Sequence, residues 1–120
     1  MNIAVTAKGK TLDSELDPRF GRAAQFIIFD SETGEFAAMD NSQNLNAAQG
    51  AGIQAAQNVI NTGSEVLLTG HCGPKAFRTL NAGIVEVYTL DQGTVQEAID
   101  KFKAGELTKA NSADVEGHWV

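Results

Sequence analysis

Thr69-Gly70-His71-Cys72-Gly73-Pro74-Lys75 holds the densest chemistry in the chain. Its cysteine is the only one present and stands beside one of two histidines. A thiolate next to an imidazole is a donor pair that soft and borderline metals favour. Pro74 suits a first helical position. Cys72 would then sit at a helix N-terminus, where the partial positive charge favours anions and stabilises a thiolate. Gly70 and Gly73 let backbone come close to whatever binds. On this reading Gly70, His71, Cys72 and Gly73 line a cofactor site, with His71 and Cys72 as metal ligands. The plain alternative is a strand-to-helix turn in which Cys72 is a small buried filler.

Two further segments carry binding chemistry. Asp17-Pro18-Arg19-Phe20-Gly21-Arg22 places Arg19 and Arg22 three residues apart in an acidic chain. They could clamp an anion, or one could pair with Asp17 on a solvated loop. Gly50-Ala51-Gly52-Ile53-Gln54-Ala55 has the letters G-x-G-x-x-A. A dinucleotide fingerprint follows a strand directly, whereas here the amide-rich stretch 41–49 intervenes. Gly50, Ala51 and Gly52 therefore read as an anion cradle without dinucleotide specificity, or as a helix start with small residues for close packing. His118 and Trp119 could fold over a site, but read as a disordered end. There is no G-x-S-x-G elbow, Walker A sequence or H-E-x-x-H, and so no familiar catalytic constellation.

The elements that must position these residues alternate. Apolar runs predict strands over 2–6, 25–30, 35–40, 65–69 and 84–89. Ser31–Gly34 reads as a hairpin turn. A helix is expected from near Ala47, with Asn46 and Gln49 as a capping box and Ile53, Ala56 and Ile60 at helical spacing. A second runs from Pro74 with Ala76, Phe77 and Leu80 inward. A third follows a Thr94/Glu97 capping box, with Val95, Ala98, Ile99 and Phe102 inward. The order β-β-β-α-β-α-β-α implies an α/β fold, a mixed five-stranded sheet flanked by helices. One domain is expected over 1–107 and a flexible tail over 108–120.

The 120 residues fit one domain. Nine Lys and Arg against fifteen Asp and Glu give a net charge of −6, which argues against nucleic acid as partner. No apolar run approaches the ~20 residues of a membrane span, and the N-terminus does not read as a signal peptide. One cysteine allows no intramolecular disulfide and suits a reducing cytoplasm. With two histidines it cannot complete a four-ligand Cys/His zinc site.

Taken in order, D-P-R-F-G-R-A, G-A-G-I-Q-A-A, G-x-C-G-P-K-A-F-x-x-L-x-x-G-I and a closing F-x-x-G-x-L resemble the dinitrogenase iron-molybdenum cofactor family over residues 1–107. That family includes nitrogenase cofactor carriers and small stand-alone proteins of anaerobes. Of these, the orange-protein type of sulfate reducers is similar in size and style. It holds a molybdenum–copper sulfide cluster without ordinary covalent protein ligation. The resemblance implies a ribonuclease-H-like fold without nuclease activity. It implies a non-catalytic carrier or assembly factor for an anionic metal–sulfur cluster, of molybdenum–copper sulfide, iron–molybdenum or iron–sulfur type. It also implies a partnership with MinD-like P-loop ATPases. Many members have a histidine near the start of the glycine-rich helix, where this chain has Gln49. A regulatory protein acting on such an ATPase is the alternative function. A small enzyme using Cys72 as nucleophile and His71 as base ranks last, because adjacent turn residues rarely face each other.

Overall fold

Asn2–Ala7 forms strand β1, buried almost from end to end. Ile3 and Val5 point to one side of the sheet and Ala4 to the other, so both faces of this strand are covered. The computed structural model describes residues 1–41 and 51–110. The chain continues through β2 (Gln25–Asp30) and β3 (Phe36–Asp40). Then come α1 (Ala51–Asn61), β4 (Ser64–Thr69), α2 (Pro74–Ala82), β5 (Glu86–Thr89), α3 (Val95–Lys103) and β6 (Thr108–Lys109). The strands form one sheet in the order β3-β2-β1-β4-β5-β6. β1, β4 and β5 run parallel, as crossover helices require; β2 and β3 pair antiparallel as a hairpin, and β6 is antiparallel to β5. The hairpin turn at 31–34 is closed by Gly34 N–H donating to Asp30 O at 2.8 Å.

Two apolar layers result. Ala4, Phe26, Leu67 and Val87 meet Ala55, Ala56 and Val59 of α1 and Phe77 and Leu80 of α2. Ile3, Val5, Ile27 and Leu68 meet Val95, Ala98 and Ile99 of α3 on the opposite face. The register explains the division: Ile3 lies beside Phe29 and Val66, and Ala4 beside Ile28 and Leu67. One residue along each strand therefore changes layers. The Thr94/Glu97 capping box is present, with Thr94 Oγ1 accepting from Glu97 N–H at 3.1 Å and Glu97 Oε1 from Thr94 N–H at 2.8 Å. Thr94→Ala is expected to cost about 1 kcal/mol, read as a lower urea midpoint at unchanged slope.

Three expectations need correction. Among the described residues the sheet has six strands, not five. Thr108–Lys109 pairs with Tyr88 and Thr89, and Ala110 N–H donates to Val87 O at 2.8 Å, so residues 108–110 belong to the domain and not to a tail. A two-residue strand has no alternation to read. β5 begins at Glu86, not at residue 84, because Ile84 takes φ 62° and is 85% exposed while it ends α2. A β-branched residue there is strained by about 1–2 kcal/mol. Ile84→Gly is therefore expected to raise stability by about 0.5–1 kcal/mol once glycine's own entropy cost is deducted, measured by the shift in urea midpoint. Of the apolar residues at helical spacing in α1, Ile53 is 42% exposed. The expected Asn46/Gln49 capping box and helix start near Ala47 lie outside the described residues.

Candidate functional site

The carboxyl ends of β1 and β4 lie side by side, and a loop is laced across them. Thr6 and Thr69, both fully buried, put their Oγ1 atoms 3.0 Å apart. The Thr6 hydroxyl donates to Asp17 O at 2.6 Å, and Asp17 N–H donates to Thr6 O at 3.0 Å. The loop then runs beside the β4–α2 turn. His71 N–H donates to Pro18 O at 2.6 Å and Phe20 N–H to His71 O at 3.1 Å, a short parallel bridge. Gly70 makes this approach possible: a Cβ there would fall 2.7 Å from both Pro18 Cα and Pro18 O.

Asp17 is 1% exposed and holds the loop in shape. Its carboxylate accepts from Arg19 N–H at 3.1 Å, Ala24 N–H at 3.3 Å and the Arg19 guanidinium at 3.3 and 3.4 Å. Asn41, equally buried, closes the far end by donating from Nδ2 to Ala23 O at 2.8 Å and Gly21 O at 3.3 Å. Phe20 anchors the middle against Phe26, with ring centroids 5.4 Å apart. Gly21 then meets the first turn of α1, where its missing Cβ would sit 2.9 Å from Gly52 Cα.

A cleft of about 510 Å³ opens between this loop and the N-termini of α1 and α2. Phe20, Gly21, Gly52 and Ile53 form one side; Gly73, Pro74, Lys75 and Ala76 form the other. Among the described residues the lining is mostly apolar, with Lys75 as its one charged side chain. Lys75 is exposed and makes no ion pair among the described residues. No side chain caps α2, whose N-cap is Gly73. The first-turn N–H groups, which no helix satisfies internally, keep their donor capacity at the cleft. Beyond the Gly73 Cα is open space. Soft bulk, donor N–H groups and one cation suit a bulky anion held without covalent bonds.

A second groove, of about 620 Å³, runs beside the N-terminus of α3. Glu15, Asp91 and Glu97 outnumber Lys8 and Lys101 along it, so its field opposes an anion.

The expected site residues separate in this arrangement. Gly52 and Gly73 line the cleft. Ala51 is buried in the first turn of α1, and Gly70 serves the packing against Pro18. Arg19 stands outside the cleft, tied to Asp17, with 63% of its side chain exposed. Arg22 is half-buried and outside the cleft lining. Gly50, His118 and Trp119 lie outside the described residues. His71 is exposed while Cys72 is 3% exposed and packs in the core cluster with Phe20, Ala76 and Phe77. Among the described residues no three His, Cys, Asp or Glu side chains converge on a common point.

The thiolate expected at Cys72 does not fit this burial. Loss of hydration pushes the thiol up from 9.0 to about 12, so it stays protonated at neutral pH. Iodoacetamide at pH 8 is expected to leave the native thiol unmodified and to label it on unfolding, followed by mass spectrometry. The same burial sets a pH dependence. Below pH 9 the thiol is protonated in both states. Above that pH the unfolded chain ionises first, so stability falls as pH rises toward about 12. Sequence reasoning missed Asp17 as the loop's buried anchor, Asn41, the Thr6–Thr69 pair, and Lys75. The Lys75 signal was present: it follows the helix-opening proline directly.

The same architecture recurs in known proteins. The model for the family described as dinitrogenase iron-molybdenum cofactor matches residues 1–105. The apo form of the orange protein from Desulfovibrio gigas is 44% identical, with a TM-score of 0.88 over 91% of this chain and 92% of that one. A putative NifB protein from Thermotoga, of the DUF35 family, is 40% identical, with a TM-score of 0.80 over 90% and 91%. An uncharacterised protein from Methanocaldococcus jannaschii is 29% identical over 99 residues, 81% of this chain and 84% of that protein. On the extent of the family match and on a shared fold, the chain belongs to the dinitrogenase iron-molybdenum cofactor family.

Proposed function

We propose that the chain is a non-catalytic carrier of an anionic metal–sulfur cluster, held in the cleft between the loop and the two helix N-termini. The observation that carries this reading is the lining itself. Gly21, Gly52 and Gly73 give space, Phe20 and Ile53 give soft apolar walls, and Lys75 with the α2 N–H groups balances charge. Sulfide is large, polarisable and a weak acceptor, so a cluster gains from apolar contact as well as from N–H donors. Direct ligation by His71 and Cys72 finds little support, because Cys72 is buried and no third His, Cys, Asp or Glu side chain joins the pair among the described residues. Cargo of the molybdenum–copper sulfide type fits a site without protein ligands, and iron–molybdenum or iron–sulfur cargo is the other candidate. The strand order 3-2-1-4-5 around a parallel core supports a ribonuclease-H-like assignment. A cytoplasmic location follows from the reducing conditions such clusters need.

The test is retention. Metal-free protein is incubated anaerobically with tetrathiomolybdate, with and without Cu(I), and passed through a desalting column. Co-elution of molybdenum with new visible charge-transfer bands is expected, and Gly73→Val should abolish it. That variant fills the cleft with backbone angles (φ −66°, ψ 163°) that valine adopts freely. No retained metal would reject the carrier reading and favour the alternative, a regulatory protein acting on a MinD-like P-loop ATPase.

A further inference from the structure

The carrier reading leaves open how such a cleft tells its cargo from the oxo-anions of the same metal. Molybdate and tetrathiomolybdate are both tetrahedral dianions, so charge and shape do not separate them. Hydration does. The oxo-anion holds water tightly through hard, charge-dense oxygens. The thio-anion spreads the same charge over soft sulfur and sheds water readily. Phe20, Ile53, Pro74 and Ala76 can replace little of a hydration shell. Pro74 also removes one N–H from the first turn of α2. Among the described residues, the remaining donors at the cleft are backbone N–H groups and Lys75. Arg19, which could have strengthened an oxo-anion site, is held by Asp17 outside the cleft.

We propose that the cleft selects by hydration: it admits weakly hydrated, polarisable sulfido-metal anions and excludes strongly hydrated oxo-metal anions, with Lys75 as the side chain that balances their charge. This rests on the carrier reading and adds the property by which cargo is chosen. An anion that must give up its water for apolar walls loses more than one lysine returns. Ile53 and Lys75 therefore act in different ways. Ile53 sets the ratio between anions, and Lys75 raises affinity for all of them.

The test is a set of amide NMR titrations of the full chain with tetrathiomolybdate, molybdate and perrhenate, a weakly hydrated oxo-anion of lower charge. Tetrathiomolybdate is expected to bind at the cleft at least about 100-fold more tightly than molybdate. Perrhenate should also exceed molybdate despite its smaller charge. Lys75→Gln should weaken tetrathiomolybdate about tenfold and flatten its salt dependence, with Lys75→Arg restoring both. Ile53→Asn, at an exposed position, should narrow the thio-to-oxo ratio without unfolding the chain. Molybdate within about threefold of tetrathiomolybdate would mean that charge alone selects; it would overturn this proposal and leave the carrier reading standing. Perrhenate weaker than molybdate would overturn it too, by showing that hydration is not the criterion. Failure of tetrathiomolybdate to bind the cleft at all would overturn both.

Discussion

Gly70→Ala is expected to cost about 2–3 kcal/mol and to displace the 17–24 loop. The added methyl would fall 2.7 Å from Pro18 Cα and O. Those are backbone atoms and cannot swing aside as a flexible side chain could, so the overlap must be relieved by moving the loop or the turn. Either movement breaks the pair His71 N–H to Pro18 O and Phe20 N–H to His71 O, which seats Phe20 at the cleft wall. Urea unfolding gives the magnitude, and amide shifts of Arg19, Phe20 and His71 report the displacement. Gly73→Ala is the matched control, since a Cβ there meets nothing within 4 Å; it should stay within about 0.5 kcal/mol of the parent. Equal costs at the two positions would show that the close approach does not govern the loop.

The second large effect is at Asp17. Asp17→Ala leaves the half-buried N–H groups of Arg19 and Ala24 without their acceptor and releases the Arg19 guanidinium. Removing the acceptor of several buried or half-buried donors is expected to cost about 2–4 kcal/mol. Asp17→Asn keeps one side-chain acceptor and should cost roughly half as much. Asp17 lies outside the cleft lining, yet its loss should also weaken cargo binding, because the loop that carries Phe20 and Gly21 loses its anchor. Arg19→Ala should be milder, since that side chain is largely exposed and its pairing is correspondingly weak. If Arg19→Ala cost as much as Asp17→Ala, the ion pair and not the backbone donors would be holding the loop.

Local signals were readable where a local force decides the structure. The Thr94/Glu97 box formed as its spacing demanded, Pro74 opened α2, and Val66-Leu67-Leu68 became a strand buried on both faces. Family motifs located the three segments that meet at the cleft. What escaped depends on contacts between distant segments. Nothing local to Gly21 or Gly52 tells that their backbones pack against each other. An anion clamp by Arg19 and Arg22 and a pairing of Asp17 with one of them read on equal terms, and the structure buries the Asp17 carboxylate and pairs it with Arg19. Cys72 and His71, adjacent in sequence, looked like a donor pair, but packing against Phe20 and Phe77 buries the thiol while His71 is exposed. β6 is too short to carry a period, and its place is set by the open edge of β5.

The central claim is that cargo sits in the cleft between the loop and the two helices. Amide NMR mapping of tetrathiomolybdate and Cu(I) binding under anaerobic conditions tests it most directly. The account predicts shifts concentrated at Gly21, Gly52, Gly73, Lys75 and Ala76, with the groove around Gly93 and Thr94 unmoved. Shifts centred on Gly93, Thr94 and Lys101, or spread evenly over the surface, would contradict it.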